Sequence, residues 1–84
     1  MKKVAIVTGG AKGIGFGSAN QLLEAGFSVA LFDIDEVGLA KAKNDLANYG
    51  DRVTTYKVDV SNEKEIKEAI DKAASHFGQI NAVA

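Results

Sequence analysis

The sequence predicts an α/β fold, the first half of a doubly wound parallel sheet, and three observations carry that prediction. Short β-branched runs alternate strictly with stretches of 3.6-residue periodicity along the 84 residues. A glycine-rich turn, Thr8-Gly9-Gly10-Ala11-Lys12-Gly13-Ile14-Gly15, stands directly after the first of those runs, and an acid, Asp33, closes the second. Strands separated by helices pair in parallel through right-handed crossovers, which gives β-α-β-α-β-α-β. With a ligand loop after the first strand, the expected strand order is 3-2-1-4, the fourth strand lying beside the first across the switch point.

Each element has its own justification. The run VAIVT predicts a strand over 4–8, and the helix that follows, about 14–25, puts Gly15, Ser18, Ala19 and Leu22 on one face. Small residues at its N-terminal end allow close packing on the sheet, and Gly26 ends it as a C′ glycine. SVALFD predicts the second strand over 28–33. The second helix begins after Asp33-Ile34-Asp35 with Asp35 as its N-cap; Leu39, Ala42, Leu46 and Tyr49 form its apolar stripe and Gly50 follows. VTTYKV predicts the third strand over 53–58. The third helix starts at Ser61, carries the cleanest stripe (Ile66, Ala69, Ile70, Ala73, Phe77) and stops at Gly78; INAVA predicts the fourth strand over 80–84. A chain of this length makes one domain with a modest core.

Composition excludes several classes of function. At 46% hydrophobic and 25% charged residues this is an ordinary globular chain. A formal charge of −1 with both signs interspersed gives no electrostatic case for nucleic acid or an anionic membrane surface. Without Cys there is no disulfide, thiol catalysis or Cys-based metal site, which fits a reducing cytoplasm, and a single His leaves no cluster for a metal. Lys2-Lys3 followed by Val4–Val7 has the order of a signal peptide, but the apolar run breaks off at Thr8. No stretch approaches the ~20 apolar residues of a membrane span. The expectation is a soluble, cytoplasmic chain with an unprocessed start and neither a nucleic-acid nor a membrane partner.

Gly9, Gly13 and Gly15 between a strand and a helix are what a backbone needs to approach a pyrophosphate. The turn is sharp, and the N–H groups of the following first turn, including that of Ile14, point at phosphate oxygens. The bland reading is a tight turn without a ligand. A P-loop is excluded because no Gly-Lys-Ser/Thr follows; Lys12 precedes its glycine instead. A methyltransferase-type loop usually has an acid ending the first strand, where this chain has Thr8. Asp33 fits a carboxylate accepting from both ribose hydroxyls of an adenosine, the alternative being a helix cap, a role that Asp35 fits better. A 2′-phosphate would face that carboxylate, and like charges ~4 Å apart near a surface cost a few kcal/mol, so NAD is expected over NADP. Lys12 pointing at the ribose offsets part of that cost and keeps NADP open; as a solvated loop lysine it does nothing. Asp59 can accept from the adenine amino group while Val60 packs on the ring and Ile34 flanks the other face. Against this stand an Asp59 that caps the next helix and an Ile34 that is a plain loop hydrophobe. His76, Tyr49 and Tyr56 read as structural, and the charges from Glu63 to Lys72 as a solvated helix face.

These residues together resemble the short-chain dehydrogenase/reductase family, whose fold is of the Rossmann type. The resemblance rests on TGGAKGIG at 8–15, the acid at Asp33, Asp59-Val60, and the passage His76-Phe77-Gly78-Gln79-Ile80-Asn81-Ala82-Val83-Ala84. Within the family, Met1 to Gly9 is similar to acetoin/2,3-butanediol dehydrogenases and 3-oxoacyl-carrier-protein reductases. The resemblance implies hydride transfer between NAD(P)(H) and a small-molecule carbonyl or secondary alcohol. It also implies a Tyr acid/base with a Lys four residues on, an orienting Ser and a relaying Asn.

None of those catalytic residues maps onto this sequence. Val53 and Val60 stand four positions after Tyr49 and Tyr56, and Asn81 lies earlier in its strand than the family's Asn. The expectation is therefore that residues 1–84 are the N-terminal NAD(P)-binding half, with the catalytic half absent and no activity of its own. The alternative is a non-catalytic dinucleotide-binding module or an inactive fragment. The third helix would cover its sheet face alone and the fourth strand would be an open edge, so the isolated segment is expected to be marginal, or to be completed by homo-oligomeric association.

Overall fold

A computed structural model describes residues 3–11 and 13–83, the last two in their backbone alone. The elements are β1 (Lys3–Thr8), α1 (Gly13–Glu24), β2 (Phe27–Asp33), α2 (Glu36–Asp45), a 3₁₀ segment (Ala47–Arg52), β3 (Val53–Lys57), α3 (Glu63–Phe77) and β4 (Ala82–Val83). The sheet is parallel, in the order β3-β2-β1-β4. β1 pairs β2 from Lys3↔Phe27 to Thr8↔Phe32, and β2 pairs β3 from Val29↔Val53 to Asp33↔Lys57. β4 adds only Ala5↔Ala82 and Ile6↔Val83 on the far side of β1.

The central strands are apolar on both faces, and their alternation sorts the core into two layers. Val7, Val29 and Leu31 pack with Ala19, Leu23, Leu39, Ala42 and Leu46 from α1, α2 and the turn after α2. Val4, Ile6, Ala30 and Phe32 point the other way, onto Ala69, Ala73 and Phe77 of α3. This is the continuous apolar pattern of a strand buried on both sides. Although α3 alone covers the second face among the described residues, Val4, Ile6, Ala30 and Phe32 are completely buried.

Three expectations need correction. In α1 the inward residues are Ala19 and Leu23, with Leu22 only half-buried, so the buried stripe sits one position further round than expected. α2 ends at Asp45 instead of carrying on to Tyr49. The 46-to-49 step of its stripe is an i,i+3 spacing, and the chain satisfies it with a 3₁₀ turn, Tyr49 N–H donating to the Leu46 carbonyl. Finally, α3 is capped by Asn62, not Ser61: the Asn62 side chain accepts from the N–H groups of Lys64 and Glu65. Gly78 closes α3 in the left-handed conformation, as the sequence predicts.

Two polar side chains tie the far end of the sheet. The Arg52 guanidinium donates to the carbonyls of Leu23 (2.6 Å) and Phe27 (2.7 Å), so one cation holds the end of α1 to the start of β2. It also lies 5.3 Å from the Tyr49 ring. Asn81 accepts from Val4 N–H through its side chain (2.9 Å) and donates its own N–H to the Val4 carbonyl (2.8 Å), docking the approach to β4 on β1.

Candidate functional site

The chain leaves the carboxyl ends of β1, β2 and β3 in three turns, and these turns meet at Asp33. Its backbone carbonyl accepts from Val58 N–H (2.9 Å). Its carboxylate accepts from Ala11 N–H through Oδ2 (3.1 Å) and from Asp35 N–H through Oδ1 (3.0 Å). The glycine turn is thus fastened to β2 by the very side chain that the sequence singled out. A second fastening is Gly10 N–H to the Phe32 carbonyl, 3.3 Å.

The glycines of the turn serve two different physical ends. Gly9 and Gly13 have φ of 65° and 64°, a conformation costly for any residue with a Cβ. Gly15 has ordinary helical backbone but sits against the turn itself: a Cβ there would collide with the Gly9 carbonyl oxygen and lie 2.7 Å from its carbon. This is how α1 starts so close to the end of β1. Its first turn contains no acidic residue, so the positive end of the helix is unopposed. Gly10, which the sequence reading left without a role, is also tightly placed: a Cβ there would lie 2.9 Å from Leu31 Cδ2 and 3.1 Å from the Val7 carbonyl oxygen, so a neighbour would have to shift.

At the ends of β2 and β3 one local device appears twice. Asp33 accepts from the N–H of Asp35, and Asp59 accepts from the N–H of Ser61 (3.0 Å). Each is a side chain bonding the backbone two residues on, an Asx turn, and each leaves the residue between protruding. The protruding residues are Ile34 and Val60, 59% and 52% exposed. With Gly9, Asp33, Val58 and Asp59 they line one cleft of about 130 Å³. Of the four large apolar side chains exposed among the described residues, three are Ile34, Val60 and Ile14, which is 91% exposed at the start of α1.

Asp59 is held further. Ser61 Oγ donates to the same Oδ1 at 2.6 Å, and the Asp59 N–H donates to Glu65 Oε1 at 3.2 Å. The Ser61 hydroxyl, then the Ser61 N–H, hold the Asp59 carboxyl below its ordinary value, partial burial opposing them. The capping alternative for Asp59 is therefore overturned: its side chain closes a turn with Ser61, while the helix is capped by Asn62. Ser61 and Glu65 were missed by sequence reasoning, although Asp-x-Ser at a strand end is a legible Asx signal.

Of the expected site residues, Gly9, Asp33, Ile34, Asp59 and Val60 share the cleft, and Gly13, Ile14 and Gly15 begin the adjoining helix. Lys12 lies outside the described residues. A larger cavity of about 430 Å³ opens between α1 and α2, lined by Phe16, Val37 and Lys41 among others. It contains none of Asp33, Ile34, Asp59 or Val60. Asp33 and Asp59 converge in the smaller cleft, at the switch-point end of the strands where open α/β sheets hold ligands, while Gly13 at the start of α1 lines the larger cavity. No helix among the described residues is long and apolar enough to cross a membrane.

Comparison with known proteins agrees with this fold. The family model described as short chain dehydrogenase matches residues 3–84. The chain is 42% identical over 81 residues to 3beta-hydroxysteroid dehydrogenase 2 of Eggerthella lenta, covering 96% of this chain and 31% of that protein. It is 39% identical over 83 residues to a diacetyl reductase [(S)-acetoin forming] of Staphylococcus epidermidis, covering 99% and 32%. The chain thus spans about a third of the length of these curated relatives. Among solved structures it is similar to a short chain dehydrogenase/reductase from Burkholderia phymatum in complex with NAD. There the TM-score is 0.92 at 32% identity, covering 98% of this chain and 29% of that one. It is also similar to actinorhodin polyketide ketoreductase with NADPH, at TM-score 0.91 and 27% identity, covering 98% and 31%.

Proposed function

The chain belongs to the short chain dehydrogenase family, and on that premise we propose that residues 1–84 are the dinucleotide-holding half of an NAD(P)-dependent oxidoreductase. The whole enzyme moves a hydride between the nicotinamide and a small-molecule carbonyl or secondary alcohol. The observation that carries the reading is the cleft at the ends of β2 and β3, where two strand-end acids and two protruding apolar side chains face the glycine turn.

The residues fit such a cofactor. Gly15 leaves α1 with no side chain between its N-terminus and the turn, so the first-turn N–H groups of Gly13, Ile14 and Gly15 are available to a pyrophosphate. Each Asp33 carboxylate oxygen uses one acceptor site on the backbone and keeps another for a ribose hydroxyl. Asp59 receives the adenine amino group, and Ile34 and Val60 hold the ring between them. When bound, the nicotinamide supplies hydride transfer; the residues here bind, orient and exclude water. No catalytic role falls to any of the 84 residues, so the acid/base and the substrate contacts belong to the rest of the enzyme, proposed here as cytoplasmic and homo-oligomeric.

NAD is the proposed cofactor, because Asp33 meets the ribose where NADP carries a phosphate. Titration of the full-length protein with NADH and NADPH, followed by nicotinamide fluorescence, tests this directly. Asp33→Ser should move the NADH/NADPH affinity ratio toward NADPH by about tenfold or more, the size of one charge contact near a surface. An unchanged ratio in that variant would remove Asp33 from the ribose, and equal, negligible binding of both by the unaltered protein would sink the whole reading.

A further inference from the structure

We infer that Ser61 is a positioning residue for base recognition: it orients the Asp59 carboxylate so that one oxygen faces the cleft as an acceptor for an exocyclic amino group. The inference rests on the dinucleotide reading above and deepens it by naming the base chemistry and the residue that enforces it.

Ser61 has no capping role to explain it. Asn62 caps α3 with its own side chain, and Ser61 lies outside the helix. What Ser61 does instead is donate twice, from Oγ at 2.6 Å and from its N–H at 3.0 Å, to the single atom Oδ1 of Asp59. Two donors on one oxygen fix the carboxylate's rotation about its terminal bond, which is otherwise broad. Asp59's own N–H is tied to Glu65 Oε1, so both its main chain and its side chain are held. Oδ2 has no hydrogen bond among the described residues, and Asp59 lines the cleft between Ile34 and Val60.

The chemical consequence is selectivity. Both hydroxyl and amide donation from Ser61 favour the charged carboxylate, which accepts only. An acceptor-only group welcomes the adenine 6-amino group and opposes the 6-oxo oxygen of hypoxanthine. A carboxylate free to rotate presents that acceptor in the right direction only part of the time and weakens the distinction, whereas an amide, which can turn its NH2 to a 6-oxo oxygen, loses it.

The test compares binding of NADH with that of its analogue carrying hypoxanthine in place of adenine, in the full-length protein and in three variants. The unaltered protein should prefer the adenine form by about tenfold or more, as expected for a hydrogen bond to a charged group. Asp59→Asn should bring the ratio close to one. Ser61→Ala, which keeps the N–H but loses the hydroxyl, should lower the ratio by about threefold or more, and Ser61→Thr should restore it. All three substitutions sit at the surface, and thermal melts show whether each variant keeps its fold.

A ratio that collapses in Asp59→Asn but is unchanged in Ser61→Ala overturns the positioning role while leaving the dinucleotide reading intact. Equal loss of both ligands in Ser61→Ala without a change of ratio also overturns it, since that is what a purely structural residue would do. No adenine preference in the unaltered protein removes Asp59 from the base, and the inference falls with it.

Discussion

Replacing Gly15 by alanine tests how the glycine turn works more sharply than any other substitution. A Cβ at 15 lies 2.7 Å from the Gly9 carbonyl carbon, 0.7 Å short of the 3.4 Å at which ordinary contact begins (3.4 − 2.7), and nearer still to the oxygen. Its other neighbour, Gly10 Cα, is at 3.2 Å. All of these are backbone atoms, so no side chain can swing aside and the turn itself must recede from α1. Overpacking of this kind costs about 1–3 kcal/mol, and a wholly backbone obstacle puts Gly15→Ala near ~3 kcal/mol. If binding requires the native turn, the same energy reappears as an NADH affinity weaker by about a hundredfold.

Gly9→Ala and Gly13→Ala are the controls, because nothing lies within 4 Å of a Cβ at either position and only their φ of 65° and 64° opposes the change. Each should cost about 1–2 kcal/mol through the backbone alone. Denaturant melts and NADH titration of the three full-length variants give the ranking. Gly15→Ala binding within threefold of the unaltered protein, or Gly9→Ala proving worse in both measurements, would refute the close-approach argument.

Two further outcomes follow from the same geometry. Arg52→Met keeps the apolar stem but strips the Leu23 and Phe27 carbonyls of their donor, and should destabilise the protein by about 2–3 kcal/mol. NADH affinity should stay unchanged, because Phe27 and the cleft lie at opposite ends of β2; a melt like that of the unaltered protein would mean the two bonds contribute nothing. Asp59 has its folded pKa lowered, so its contribution to stability is complete above the ordinary carboxylate range and is lost as pH falls through the lowered value. Ser61→Ala should therefore lower stability at neutral pH and shrink the acid-side loss, the two proteins converging once Asp59 is protonated, and an identical acid limb would contradict the Ser61–Asp59 bond.

What the sequence made legible were the features whose signal is local. The alternation of Val4 to Val7 and of Val29 to Phe32, the α3 stripe from Ile66 to Phe77 and the caps at Asp35 and Gly78 each follow from a few neighbouring residues. Two of the misses share a cause: two local solutions fitted the same letters. Leu46 and Tyr49 are three apart, a spacing that a 3₁₀ turn serves as well as an α-helix, and the chain took the 3₁₀ turn. Ser61 and Asn62 are both good caps, and the choice depended on Asp59 already holding Ser61. Arg52 was invisible because its partners lie 29 and 25 residues away.

The same competition between caps bears on whether the strand-end acids serve a ligand or only the fold. A chain that merely needs to start α2 and α3 requires one side-chain acceptor at each start, and Asp35 and Asn62 are those acceptors. Asp33 and Asp59 are then surplus to capping. What they accomplish is to tighten each strand end into an Asx turn and push Ile34 and Val60 outward, more than half exposed. Burying such side chains fully is worth about 1.5–3 kcal/mol each, so a fold selected for stability alone would turn them inward. An apolar, planar ligand between them would recover that burial, and the two acids beside it would supply the polar contacts that a bare hydrophobic slot would lack.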